Sequence, residues 1–320
     1  MRIKGSVVVI TGASDGIGRA TALRFAKEGA AVVLAARRRE PLETLAAECR
    51  EHGAEAIVVS TDVADERGVI DLARRTVTEL GRIDVWVNNA AVGIVAPFLD
   101  TPLHDLQRLL EVNVVGVVHG SRVAVEQMIR QRAGVVINVS SVLGEVPAPY
   151  NSAYSMSKSA VRALGFSLRQ ELRLAGAKDV HVCSVLPPSV DTPYYRQVAN
   201  FTGREARPIP PLYTPERVAR TICSLVRSPR REAVVGTIGR IVVLKHRLFP
   251  GTMERFMSGV VSRTHLSRRR VPQTTGSLYG DAGEAPTVHG GHHGRARSMG
   301  RTVAAAALGV GGYRLLRRRA

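Results

Sequence analysis

The residues best suited to acid and base chemistry in this chain are Tyr154 and Lys158, in the run Tyr154-Ser155-Met156-Ser157-Lys158. Four positions apart on a helix, their side chains share one face. A free phenol has a pKa of about 10 and is a poor base at neutral pH. A neighbouring ammonium favours the phenolate, and each unit of lowering corresponds to about 1.4 kcal/mol. Tyr154 so placed can pass a proton to or from an oxygen. Tyr150, eight residues from Lys158, lacks this one-turn pairing.

Such a pair needs a rigid frame, and the sequence up to about residue 249 supplies one. Apolar β-branched runs at 7–10, 31–36, 56–60, 84–88, 134–140 and 180–186 alternate with segments of helical spacing at 16–29, 41–52, 65–81, 103–132 and 152–176. A further strand is expected at 233–236. Strands apolar on both faces, joined by crossover helices, imply an α/β fold with a doubly wound parallel sheet. With 45% hydrophobic but only 4% aromatic residues, burial rests on Val, Ala, Leu and Ile, which suits such a sheet.

The first strand runs into Thr11-Gly12-Ala13-Ser14-Asp15-Gly16-Ile17-Gly18 and then a helix. This is the strand, glycine turn and helix that a dinucleotide's diphosphate needs, and it makes the fold Rossmann-like. Gly12 permits a tight turn, Gly16 lets backbone approach phosphate, and Gly18 lets helix and strand pack closely.

Taken together, the TGxxxGxG loop and YxxxK pair resemble the short-chain dehydrogenase/reductase family over roughly residues 5–240. The resemblance implies that Gly12, Ser14, Gly16, Ile17 and Gly18 hold the diphosphate and adenosine end of a nicotinamide cofactor. Its positive oxidised ring would further favour the Tyr154 phenolate. Asp62 and Val63 resemble the family's adenine contact, and Asn89, in Asn88-Asn89-Ala90-Ala91, its turn after the fourth strand, with Ala91 where the family has Gly. Ser141, thirteen residues before Tyr154, matches the serine that holds the substrate oxygen. Asn113 matches the helix Asn holding a water that links Lys158 to solvent. Asn113, Ser141, Tyr154 and Lys158 thus form the implied catalytic set. Pro187-Pro188-Ser189-Val190-Asp191-Thr192 resembles the PGxVxT loop, so Val190 and Thr192 would meet the nicotinamide amide, while Pro188 in place of Gly restricts the loop.

After the second strand stands Arg37, with no carboxylate to hold both ribose hydroxyls. A planar guanidinium fork meets a 2′-phosphate well, so NADP(H) is the expected cofactor. Residues 188–213 carry Tyr194, Tyr195, Phe201 and Tyr213 in a chain otherwise poor in aromatics. With Val142, Leu143, Pro147 and Tyr150 they suggest a lid and walls for an apolar, medium or bulky carbonyl or alcohol. The rival reading is a noncatalytic NADP sensor or scaffold, but such proteins usually lose the Tyr or Lys, and both are here.

The net charge is +18, and residues 251–320 hold twelve Arg and no Lys against three acids, half of the total charge. The chain therefore reads as one domain over 1–250 with a flexible, basic, largely disordered extension over 251–320. Its apolar run at 302–313 is too short to span a bilayer but could lie on an anionic membrane surface. Without a recognisable reading module, the arginines give no specific nucleic-acid partner. Cys49, Cys183 and Cys223 form no CxxC pair and suggest a reducing compartment, and the N-terminus lacks a signal-peptide apolar core, so a cytoplasmic protein is expected. His289, His292 and His293 lack companion ligands, so no metal is expected. By family analogy the protein self-associates into a homo-oligomer.

Overall fold

The computed structural model describes residues 1–280, 283 and 285–292. Seven strands form one parallel sheet: β1 (Val7–Thr11), β2 (Ala31–Ala36), β3 (Ala56–Ser60), β4 (Val85–Asn88), then, after a two-residue β5 (Ile94–Val95), β6 (Gly134–Val139) and β7 (Val180–Leu186). Two short strands, β8 (Ala199–Asn200) and β9 (Arg204–Ala206), precede the seventh member, β10 (Glu232–Val234). The order is β10-β7-β6-β4-β1-β2-β3, with Val9 paired to Val33 on one side and to Trp86 on the other. The chain winds outward from β1 to β3 and then returns to β4. The crevice at the carboxyl ends of β1 and β4 is therefore where this topology accepts ligands.

The helices are α1 (Gly16–Lys27), α2 (Arg39–Glu51), α3 (Glu66–Leu80), α4 (Leu103–Leu110), α5 (Gly116–Gln131), α6 (Ser152–Leu174), α7 (Tyr194–Gln197), α8 (Pro215–Arg227), α9 (Thr237–Leu248) and α10 (Pro250–Thr264). Alternate residues of each central strand enter opposite cores, as the two-residue side-chain period requires. Val8, Ile10, Val32 and Leu34 pack with Phe25, Leu45 and Ile222, whereas Val9, Val33 and Val136 pack with Leu72, Leu109 and Met128. Trp86 is fully buried, and its indole N–H donates to Asn88 Oδ1 at 2.8 Å. Asn88 Nδ2 in turn donates to Ser121 Oγ at 3.0 Å and Asn138 Oδ1 at 2.8 Å, so this polar chain stiffens the ends of β4 and β6.

The chain does not leave the fold at residue 250. Helix α10 buries Met253, Met257 and Val261 in a third apolar cluster with Val142, Leu186 and Val243. Strand β11 (Leu266–Arg270) then pairs antiparallel with β9. Pro250 reads as a breaker in the sequence, yet it occupies the first turn of α10, where its missing N–H costs no hydrogen bond. Beyond β11, Thr274 pairs with Asn200, and Leu278 is fully buried. The expected membrane-facing run at 302–313, and His293, lie outside the described residues. Among the described residues no helix is long and apolar enough to cross a membrane.

Candidate active site

A cleft of 1530 Å³ opens at the topological switch. One end carries Gly12, Ser14, Gly16, Ile17, Arg37 and Asp62, its middle Ser141 and Tyr154, and its far end Ile209, Val242, Met253 and Met257.

The glycine loop is shaped to receive an anion. Gly12 has φ +64°, which favours glycine, and a Cβ on Gly18 would strike the Gly12 carbonyl oxygen and lie 2.7 Å from Asn89 Nδ2. Helix α1 has no acid within its first turn, and Asp15 stands at its N-cap without a side-chain capping bond. The Asn89 side chain does not face a ligand: Nδ2 donates to Thr11 O at 3.0 Å and Gly12 O at 2.9 Å, stapling β1 to the chain after β4. Thr11 Oγ1 accepts from the Asn89 and Ala90 amides at 3.1 and 3.2 Å. These features fit a dinucleotide, since the loop offers amides and a helix terminus in a space that a Cβ would fill.

Two residues expected at the adenosine end are already engaged. Asp62 Oδ1 accepts from the Ala64 amide at 3.0 Å and Oδ2 from Arg108 at 2.6 Å. Burial pushes the Asp62 carboxyl up, but that amide and the guanidinium outweigh it and hold it below its ordinary range. Arg37 donates from Nη2 to the carbonyls of Ser277 at 2.8 Å and Gly280 at 3.0 Å, and from Nη1 to Leu278 O at 3.4 Å. Val63 is buried beside Asp62, and its carbonyl meets His119 Nδ1 at 3.0 Å. Sequence reasoning missed Arg108 and the 277–280 carbonyls: no spacing rule links α4 to β3, and carbonyls belong to every residue.

At the middle, Tyr154 and Lys158 occupy the first turns of α6, with Lys158 Nζ 5.5 Å from the Tyr154 ring centroid. Ser141 follows β6 and lines the cleft with Tyr154, and its hydroxyl donates to Pro187 O at 3.4 Å. Ser141 Oγ also accepts from the Leu143 amide at 3.1 Å, capping a short 3-10 turn. Ser140 instead donates to the Lys158 carbonyl at 2.8 Å and braces α6.

The protonation balance differs from the sequence expectation. Burial pushes the Tyr154 phenol well up, the nearby Tyr195 adds to that, and the Ser141 hydroxyl only partly offsets it. Lys158 is 2% exposed, burial lowers its ammonium from 10.5 to about 8, and Nζ donates to Val139 O at 3.0 Å. Desolvation therefore outweighs the mutual attraction on which phenolate formation was expected to rest.

Asn113 is held by its side chain. It is fully buried in a single π turn, 111–115, between α4 and α5. Its Oδ1 accepts from the Val92 amide at 2.8 Å, and Nδ2 donates to Val92 O at 2.9 Å and Ser157 Oγ at 3.1 Å. The side-chain amide thus anchors the loop after β4, beside a π turn that interrupts the regular ladder.

Of the four aromatics expected in a lid, Tyr194 and Tyr195 gather at Tyr154, whereas Phe201 packs against the core that holds Leu72 and Tyr213 lies against Gly236 and Arg217. Tyr194 stands 5.7 Å from Tyr154 between ring centroids, and Tyr195 stacks edge-on to Tyr194 at 5.2 Å. The Tyr194 hydroxyl is buried without a hydrogen-bond partner among the described residues, against Gly93, which has no side chain to exclude it. Tyr195 donates to Ser189 Oγ at 3.2 Å. Val142 and Leu143 line the same wall, while Tyr150 holds φ +64° and packs between the third apolar cluster and Val95. Val190 and Thr192 line the cleft beside the glycine loop, with Thr192 side-chain atoms 3.1 Å from where a Gly16 Cβ would sit. Between them Asp191, not singled out from the sequence, is fully buried and accepts from the His292 amide at 2.8 Å. No group of three or more metal-ligating side chains gathers among the described residues, and His289 instead lies 2.9 Å from Glu216.

Comparison with known proteins gives this geometry its context. Residues 6–202 match the family model for short chain dehydrogenase. An "Uncharacterized oxidoreductase YxnA" of Bacillus subtilis (strain 168) is 35% identical over 285 residues, 88% of this chain and 80% of the relative. Among solved structures, a short chain dehydrogenase/reductase from Burkholderia phymatum in complex with NAD is 28% identical, with a TM-score of 0.72 over 79% of this chain and 97% of that one. An alcohol dehydrogenase from the archaeon Thermococcus sibiricus, complexed with 5-hydroxy-NADP, is 27% identical, with a TM-score of 0.64 over 72% and 96%. The matched stretch takes in the glycine loop, Asn113, Ser141, Tyr154 and Lys158, and with them the chain belongs to the short-chain dehydrogenase family of oxidoreductases.

Proposed function

We propose that the protein interconverts a carbonyl and an alcohol on a medium or bulky apolar substrate with NADP(H), Tyr154 serving as acid and base. The observation that carries this reading is the gathering of Ser141, Tyr154 and Lys158 in the cleft, with Lys158 Nζ 5.5 Å from the Tyr154 ring centroid. A bound nicotinamide cofactor supplies or accepts the hydride. The chain's own part is to hold and protonate the substrate oxygen. Ser141 donates to that oxygen and fixes its place. Tyr154, kept protonated at neutral pH by burial, delivers the proton in the reducing direction and takes one back in oxidation. Lys158 passes the replacement proton, with Asn113 as the residue that would hold the water connecting it to solvent. The wall of Val142, Leu143, Tyr194 and Tyr195, which Tyr150 does not join, and the apolar far end favour a hydrophobic substrate over a small charged acid.

The NADP assignment rests on Arg37, the solved relatives having been seen with NAD and with an NADP derivative. Its test is a panel of ketones, aldehydes and alcohols followed at the nicotinamide absorbance band with both cofactors. Arg37→Ala is expected to weaken NADPH about tenfold or more, the cost of a lost charge-assisted pair, and to leave NADH within about twofold. Equal effects on both cofactors would reject the assignment.

Self-association is proposed through the surface of α4, α5 and the loop before them, where Leu99, Leu103, Val118 and Ile129 are exposed. Sedimentation velocity is expected to give a species larger than one chain, reduced by Leu103→Glu. A monomer at micromolar concentration would exclude it.

A further inference from the structure

The donors that the cofactor reading assigns to phosphate are met, in this structure, by main-chain carbonyls from the end of the described chain. At Arg37 they are those of Ser277, Leu278 and Gly280. At the glycine loop, the Gly16 amide donates to Thr287 O at 2.9 Å. A guanidinium can grip a phosphate bidentately along either of two edges, and both include Nη2. Here Nη2 donates to two carbonyls at once, so neither edge can present a complete fork while residues 277–280 are docked. Three carbonyl dipoles also turn their negative ends toward the place a 2′-phosphate would occupy.

The docking is well anchored. Leu278 is fully buried in the core that holds Leu72 and Leu109, and its carbonyl also accepts from Arg108 Nε at 3.2 Å. Tyr279 donates to Asp105 Oδ1 at 2.8 Å, tying the segment to α4. The Ser277 amide donates to Gln197 O at 2.8 Å, and Gln197 Nε2 reaches Asp15 Oδ2 at 3.0 Å. One segment thus connects the lid helix α7, the glycine loop and the adenosine rim.

Resting on the assignment of Arg37 to the 2′-phosphate, we propose that residues 277–280 determine cofactor selectivity: docked, they compete with a 2′-phosphate for Arg37 and hold back NADP(H) relative to NAD(H). The apparent affinity for the phosphorylated cofactor is lowered by the fraction of molecules in which the segment is docked, while a ribose without the phosphate does not enter the competition.

The full chain tests this with two variants, Leu278→Ser, which removes the buried anchor, and Tyr279→Phe, which removes only the hydrogen bond to Asp105. Dissociation constants for NADP+ and NAD+ are measured by titration calorimetry, with melting curves to verify folding. Leu278→Ser is expected to tighten NADP+ about tenfold and leave NAD+ within about twofold, and Tyr279→Phe to act in the same direction more weakly. Unchanged or weaker NADP+ binding in the folded variants would overturn the proposal. Arg37→Ala is introduced into the wild type and into Leu278→Ser. If it abolishes the gain, the competition is at Arg37. If NADP+ affinity is indifferent to Arg37 in both backgrounds, the cofactor assignment itself fails, a result distinct from an inert segment. Should Leu278→Ser not fold, Tyr279→Phe alone decides by the sign of its effect.

Discussion

Tyr154→Phe is expected to lower turnover by about three orders of magnitude while leaving cofactor affinity unchanged. The loss follows from the single atom removed. Phenylalanine keeps the ring that packs 5.7 Å from Tyr194 but has no hydroxyl to protonate a substrate oxygen. A positioned acid contributes typically about 10²- to 10⁴-fold, and here no second phenol is aligned to replace it: the Tyr195 hydroxyl is directed to Ser189, and that of Tyr194 faces Gly93. The wild-type pH profile carries the second half of the prediction. Because burial pushes the Tyr154 phenol up, the acid form prevails throughout the neutral range, so the rate of carbonyl reduction should stay level there and not fall as a phenolate forms. Stopped-flow measurement of a single reductive turnover separates this step from product release. Turnover persisting in Tyr154→Phe within tenfold of wild type would remove Tyr154 from the chemistry.

Much of the frame that aims this phenol is legible in the sequence. The strands at 31–36, 56–60 and 180–186 fall where the β-branched runs stand, because strands buried on both faces admit few other residues. The glycine loop is legible for a similar reason, since close backbone approach excludes a side chain at Gly18 whatever surrounds it. Less legible is how polar groups are shared. Asn113 stands out in the sequence, but the commitment of its amide to Val92 and Ser157 does not, because that pairing is set by the approach of two loops distant in sequence. Arg37 reads as a phosphate ligand, and its present partners are carbonyls some 240 positions away, which no side-chain pattern encodes. The residues after 250 mislead because proline, glycine and arginine suggest loop and solvent. Yet three side chains of α10 complete an apolar cluster, and β11 exists only through its pairing with β9.

Lys158 is where the requirements of folding and of function oppose each other most directly, and Lys158→Met should expose both. The methionine fills a similar volume without a charge and cannot relay a proton, so turnover is expected to fall at least about 100-fold. Stability should move the other way. Burial lowers the Lys158 ammonium from 10.5 to about 8, so the group is protonated more readily in the unfolded chain than in the folded one. Below pH 8 both states carry the proton, and the folded state bears the whole penalty of a buried charge, on the order of 3 kcal/mol. Between pH 8 and 10.5 the unfolded chain binds more protons, and this contribution makes the protein more stable as pH rises; above 10.5 the penalty is gone. The hydrogen bond from Nζ to Val139 O, lost in the variant, offsets the gain by about 1 kcal/mol. Lys158→Met is therefore expected to be the more stable protein at pH 7, with the advantage shrinking steadily toward pH 10. Urea unfolding midpoints of both proteins at three or four pH values read this difference, and a gap that does not change with pH would show that Lys158 is not held against its own charge.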